Sequence, residues 1–177
     1  MVLIREMTPD DVDAVAEVRV RGWQTAYAGL VPRSHLDSMS VAEDARQRRA
    51  LLERGGGTMA NWVAERGGEV VGWACFGPHR ESEGPPRGGE LYAMYVLPEQ
   101  RSTGVGRALM EAVVAETRRR GLPWVRLWVL KENASGRRFY ERAGFRPDGH
   151  EESSAIDGTP VPEVRYELSL TRATPQP

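Results

Sequence analysis

Apolar positions along this chain recur with two periods, one of two residues and one near 3.6, and the periods take turns. Val2 to Met7 alternates as a strand. Thr8-Pro9-Asp10-Asp11 then reads as a helix start, with Pro at the first helical position and an acid at the third. Val12, Val15, Ala16 and Val18 supply that helix with an apolar stripe. Gly22 to Val31 reads as loop or short helix, and Val41 to Glu53 as a further helix stopped by Gly55-Gly56-Gly57. Asn61 to Glu65 and Glu69 to Phe76 form a hairpin about Gly67-Gly68. Gly77 to Gly88 is a polar, Pro/Gly-rich loop expected to be mobile. Four alternating elements follow: a strand from Leu91 to Val96, a helix from Val105 to Arg120, a strand from Trp124 to Leu130 and a helix through Ser135. Phe145 to Glu151 and Val164 to Leu170 read as paired strands across a long connection that turns at Asp157-Gly158. The order β-α-α-β-β-β-α-β-α-β-β predicts a mixed, mostly antiparallel α/β sheet with helices on both faces. Residues 1–170 are expected to form one domain and 171–177 a tail.

The junction of the Leu91 strand with the Val105 helix carries the chemistry. The strand stops at Pro98, a polar segment follows, and Gly104 and Gly106 open the helix. First-turn N–H groups have no intrahelical partner, and the helix dipole adds partial positive charge there. Glycines at those two positions remove side chains that would hold an anion away, so the segment from Arg101 through Ser102, Thr103 and Val105 to Arg107 is built to hold a phosphate. It is not a Walker loop, because Arg107-Ala108 follows the second glycine where Lys-Ser/Thr is needed. It is not a dinucleotide fingerprint either, since Leu109 stands where a third small residue belongs.

What remains, Arg101-x-x-Gly104-x-Gly106, resembles the pyrophosphate-binding signature of the GCN5-related N-acetyltransferases, usually Gln/Arg-x-x-Gly-x-Gly/Ala. Downstream, Asn133-Ala134-Ser135-Gly136-Arg137-Arg138-Phe139-Tyr140-Glu141-Arg142-Ala143-Gly144-Phe145 resembles the second half of the same family's cofactor site, Asn-x-x-Ala-x-x-x-Tyr-x-x-x-Gly-Phe. Gly136 departs from the usual alanine, at a cost of about 1 kcal/mol of helix propensity. The resemblance spans roughly residues 2 to 170.

It implies acetyl-coenzyme A as co-substrate and no metal. The pyrophosphate would lie on the Arg101–Arg107 N–H groups, with Asn133, Ser135 and Tyr140 on the facing helix. The strands carrying the two motifs would splay, freeing the backbone of Met94, Tyr95 and Val96 to bond the pantetheine arm. Tyr140 would protonate the leaving thiolate, and a backbone N–H at or near Val96 would hold the oxyanion. A free aliphatic amine is neutral in roughly one part in a thousand at pH 7, so a base is useful. Glu90, fourteen residues before Gly104, stands where histone-directed members carry theirs; the alternatives are a solvated or acceptor-positioning residue. Trp23 and Tyr27, four apart, would wall the acceptor pocket or close the core. Arg118-Arg119-Arg120 ends a helix as solvated charge or reaches the 3′-phosphate. The expected reaction is direct attack by a small-molecule amine in a ternary complex. The competing readings are acetylation of a protein N-terminus or lysine, and a non-catalytic acyl-coenzyme A sensor.

Composition narrows the partners. In 177 residues with 40% hydrophobic and 28% charged content, a net charge of −1 supplies no field for nucleic acid or an anionic membrane. No apolar run approaches a membrane span. The three histidines lie far apart, against a metal site, and Cys75, mid-strand, reads as a small apolar residue. A lone cysteine suits a reducing cytoplasm, the expected location. A homodimer is compatible with the resemblance. Acidic Glu81, Glu83, Glu151 and Glu152, read as loop residues, mildly favour a cationic acceptor.

Overall fold

Hydrogen bonding joins seven strands into one sheet, in the order β1-β2-β3-β4-β5-β7-β6. The computed structural model describes residues 1–54, 57–80 and 87–170. The strands are β1 (Leu3–Glu6), β2 (Ala60–Arg66), β3 (Glu69–Pro78), β4 (Gly89–Val96), β5 (Trp124–Leu130), β6 (Arg146–Ile156) and β7 (Thr159–Ser169). The helices are α1 (Val12–Ala26), α2 (Arg33–Ser38), α3 (Val41–Arg54), α4 (Val105–Arg119) and α5 (Ala134–Arg142). All ladders are antiparallel except β4–β5.

Alternation along the strands sorts the core into two layers. Val63 and Trp73 pack with Val15 and Val18 of α1. Their chain neighbours Ala64 and Ala74 pack with Val105, Leu109 and Val113 of α4. A bulge opposite Cys75/Phe76 shifts the register between Leu91 and Ala93. Leu91 accordingly joins the α4 layer while Ala93, two residues on, joins the α1 layer. At the start of α1 the Asp11 carboxylate accepts from the Thr8 N–H at 2.8 Å and from two Arg5 nitrogens at 2.7 and 2.8 Å, and that pairing with Arg5 holds its pKa down at about 2.

Three expectations change. Gly22 to Ala26, read as loop or short helix, continues α1, and the bare Cα at Gly22 lets Tyr95 pack closely against it: an added Cβ would sit 3.0 Å from the Tyr95 Cβ. β6 and β7 are not strands across a long connection. They form one hairpin of eleven-residue strands turning tightly at Asp157-Gly158, both with positive φ. Glu151 and Glu152 therefore stand on β6, not in a loop, and Glu151 pairs with Lys131 at 2.8 Å. Of the loop expected from Gly77 to Gly88, residues 77–78 belong to β3, and 81–86, with Glu81 and Glu83, lie outside the described residues. The expected tail, 171–177, also lies outside them.

Candidate active site

β4 and β5 run parallel and pair at only two rungs, Gly89–Val125 and Glu90–Arg126. Beyond Glu90 they part. Pairing on the other edge of β4 fixes what the parting exposes: Leu97 N–H donates to Val71 O at 2.9 Å, so odd-numbered residues near the end of β4 point their backbone groups at β3. The N–H and C=O groups of Met94 and Val96 point the other way, into the gap. Met94, Tyr95 and Val96 all line a cavity of about 690 Å³ there.

The N-terminus of α4 forms one end of that cavity. Ala108 N–H makes the first intrahelical bond, to Gly104 O at 3.0 Å, leaving the N–H groups of Val105, Gly106 and Arg107 without intrahelical partners. Ser102 (φ 62°) and Gly104 (φ 90°) are both left-handed, and turns of this kind gather successive N–H groups into an anion-binding concavity. The Gly104 position explains its residue: φ is positive and a Cβ there would project into open space. At Gly106 a Cβ would meet the Phe139 ring at 3.4 Å, ordinary contact, which is why alanine also serves at this motif position. Arg66 of β2 braces the turn, donating to Thr103 Oγ1 at 2.9 Å and to Thr103 O at 3.2 Å. Arg101, Ser102, Gly104, Gly106 and Arg107 line the cavity; Thr103 faces Arg66, and the Val105 side chain is buried in the core.

α5 supplies the facing wall. Asn133 caps it, its side chain accepting from Gly136 N–H at 3.0 Å. The helix ends in a Schellman motif: Phe145 N–H bonds Tyr140 O at 3.0 Å and Gly144 N–H bonds Glu141 O at 3.1 Å, with Gly144 at φ 98°. That geometry accounts for the Gly-Phe ending, since buried Phe145 then packs its ring 6.0 Å from that of Tyr140 and holds it. Tyr140 lines the cavity, and its hydroxyl has no hydrogen-bond partner among the described residues. Burial, with the nearby Tyr95 phenol, raises its pKa well above the usual tyrosine range, so it is a neutral donor.

Asn133 and Ser135 line the same wall, and Ser135 Oγ accepts from Arg101 at 3.5 Å across the cavity mouth. Arg138 and Arg142 join Arg101 and Arg107 there, and no carboxylate lines the cavity among the described residues. The sequence reading missed these two cations and Arg66. For the first two a signal exists: Ser135, Arg138 and Arg142 recur at i, i+3, i+7 on one helix face. Arg118–Arg120 lie at the far end of α4, where Arg119 and Arg120 each pair with Glu116 at 2.7 Å.

The structure brings Tyr27 to the cavity beside Tyr95, the two hydroxyls 3.5 Å apart. Trp23 stands behind Tyr27, ring centroids 4.8 Å apart, and packs with Val31, Leu36, Leu130 and Val161. Glu90 sits at the last rung before the strands part, is 1% exposed and does not line the cavity. Its carboxylate is occupied: Oε2 accepts Arg80 N–H at 3.1 Å and lies 3.2 Å from His79 Nδ1, and Oε1 takes Arg80 Nε at 2.9 Å and Nη2 at 2.5 Å. An amine reaching Glu90 would have to displace Arg80. Burial pushes the Cys75 thiol up to about 11, an unreactive state. No cluster able to hold a metal occurs among the described residues.

Residues 28–145 match the acetyltransferase (GNAT) family profile. The chain is 35% identical over 136 residues to the uncharacterized N-acetyltransferase YuaI of Bacillus subtilis (strain 168), covering 76% of this chain and 75% of YuaI. It is 30% identical over 171 residues to a probable N-acetyltransferase of Mycobacterium tuberculosis, covering 93% and 92%. The fold matches the crystal structure of the PaiA N-acetyltransferase from Thermoplasma acidophilum, solved in complex with coenzyme A, with a TM-score of 0.75 at 20% identity, covering 96% and 99%. This chain is an N-acetyltransferase of the GNAT family.

Proposed function

We propose that the protein transfers acetyl from acetyl-coenzyme A to a primary amine of a small molecule, by direct attack in a ternary complex. The observation that carries this reading is the single cavity in which an anion cradle, an open strand edge and an unpartnered phenol meet. The left-handed turn, the free N–H groups of α4 and four arginines fit a polyphosphate, and the Gly104 position leaves room for one. The free N–H and C=O groups of Met94 and Val96 fit an amide-bearing arm laid against them as an added strand.

Bound there, acetyl-coenzyme A supplies an activated thioester acyl group. The chain's own groups supply the rest. An N–H from the open edge of β4, at Val96 or Met94, is placed to stabilise charge developing on the acyl oxygen. Tyr140 Oη gives a proton to the departing sulfur, and its raised pKa keeps that proton in place until sulfur takes charge. On the acceptor side the cavity is walled by Tyr27 and Trp128.

The test is a thiol-release assay with acetyl-coenzyme A over polyamines, aminoglycosides, arylalkylamines, amino acids and short peptides. Turnover with at least one small amine, at kcat/KM at least tenfold above any peptide, is expected. Peptide acceptors preferred over every small amine would replace this reading with a protein N-acetyltransferase. Tight acetyl-coenzyme A binding with no thiol release would replace it with a sensor.

A further inference from the structure

The sheet face covered by α1 and α2 holds a carboxylate that nothing above uses. Antiparallel partners project to the same side, so Leu130 of β5, Glu163 of β7 and Glu152 of β6 share a face. Leu130 packs against Trp23, Tyr27 and Leu30, which identifies that face as the α1–α2 side. Trp128, two residues before Leu130 and on the same face, lines the cavity. Its register partner is Arg165, two residues from Glu163. Glu163 therefore stands beside the residues that form the acceptor wall, close enough to the Tyr27 and Tyr95 hydroxyls to act on them electrostatically, although its own side chain is not part of the cavity lining.

The carboxylates around it are spoken for. Glu90 takes Arg80, Glu167 takes Arg126 at 2.7 Å, and Asp148 takes Arg165 at 2.7 Å. Glu163 is half-buried and makes neither hydrogen bond nor ion pair among the described residues. The groups facing it do not neutralise it. From α1 and β4 come the Tyr27 and Tyr95 hydroxyls, and from β6 the like charge of Glu152. From the turn after β3 comes Arg80, whose guanidinium is committed to Glu90. Burial raises the pKa of Glu163 above the ordinary carboxylate value, with Glu152 adding to the rise and Arg80 opposing it. A half-buried carboxylate without a partner is costly, and an ammonium group supplies both the charge and the donors it lacks.

We infer that Glu163 binds the ammonium group of the acceptor and takes its proton, the acceptor being a primary amine on an apolar or aromatic body. The inference rests on the acetyl-transfer reading. The first proton passes from nitrogen to Glu163 Oε and on to water, leaving a neutral amine. As the C–N bond forms and the C–S bond breaks, Tyr140 gives its proton to sulfur, nitrogen gives a second proton to Glu163, which is free again, and water returns a proton to the Tyr140 phenolate, so that both side chains end as they began. Acidic bodies are disfavoured by Glu152 beside Glu163.

Two measurements on the full chain test this. Titrating coenzyme A-saturated protein calorimetrically with tryptamine, agmatine and spermidine reads amine binding without turnover. Glu163→Gln should weaken the tightest of the three at least tenfold, Glu163→Asp less, while affinity for coenzyme A changes under twofold in both. In thiol release with the same amine at pH 7, Glu163→Gln should raise KM at least tenfold and lower kcat, and kcat should recover above the amine's own pKa. Amine affinity within twofold of wild type in Glu163→Gln overturns the inference, as does wild-type protein that binds none of the three amines. Weakened binding in Glu163→Gln with no thiol release from wild type keeps the carboxylate site and removes the acetyl-transfer reading.

Discussion

The cradle between α4 and α5 and the acceptor wall between α1 and β7 are made of different material. In the cradle the groups that face a ligand are mostly backbone: the free N–H groups of Val105 to Arg107 and the open edge of β4. A backbone N–H is the same whatever side chain it carries. Identity matters there only where a Cβ would fill the ligand's space or where φ is positive, as at Gly104. On the wall across from it the cavity-lining groups are side chains, Tyr27 and Trp128, with Glu163 proposed to act from beside them, and replacing any one changes what fits. A scaffold divided this way keeps its cofactor while its acceptor changes, because the two requirements fall on different atoms.

That division can be broken by mutation. The largest effect is expected where the two halves meet, at Tyr140. Tyr140→Phe keeps the contact with Phe145 and removes only the hydroxyl, so the melting temperature should hold while kcat falls roughly 10²- to 10⁴-fold. A fall of less than threefold with the best acceptor would make Tyr140 a packing residue. Next comes Gly104→Val, which strains a left-handed residue and projects a branched side chain into the cavity. Coenzyme A affinity measured by calorimetry should drop about a hundredfold or more, roughly 2.7 kcal/mol. Gly106→Ala, meeting Phe139 at ordinary contact distance, should change it less than about threefold. Equal effects from the two would mean that the phosphates lie elsewhere. The smallest effect separates the two glutamates. Glu90→Gln leaves Arg80 and His79 without their carboxylate and should cost about 1–3 kcal/mol in thermal melts, with little change in acceptor KM. An unchanged melt with kcat/KM lowered most at low pH would transfer the proton-accepting role from Glu163 to Glu90.

The same division decided what the sequence disclosed. Everything the cradle needs sits in two short stretches, Arg101–Arg107 and Asn133–Phe145, where turn, cap and Schellman ending are local and leave local signatures. The acceptor wall is assembled from residues more than a hundred positions apart, such as Tyr27 and Glu163, and no local spacing joins them. Glu90 was legible as a position but not as a filled one, because Arg80 and His79 reach it across the β3–β4 pairing. Of β6 and β7 the halves far from the turn were legible, while residues 152–156 and 159–163 escaped: that part of β6 is almost wholly exposed and shows no alternation, and Pro160 and Pro162 stand in β7 where proline usually interrupts a strand. Gly136 looked like a weak point in α5. A Cβ there would come within 2.6 Å of the Asn133 amide, so the glycine makes room for the cap.

The two rungs joining β4 to β5 have a mechanical consequence. Strands β1–β4 and β5–β7 form two plates fastened at one corner, each well bonded within itself and open along the rest of their shared border. A ligand seated along Met94–Val96 and touching α5 bridges that border like a rivet. Held at a hundred times its dissociation constant, such a ligand stabilises the folded state by about 2.7 kcal/mol. Here that energy acts across the gap between the plates rather than within either one. The first molecule to enter thus sets the width of the space into which the second must fit.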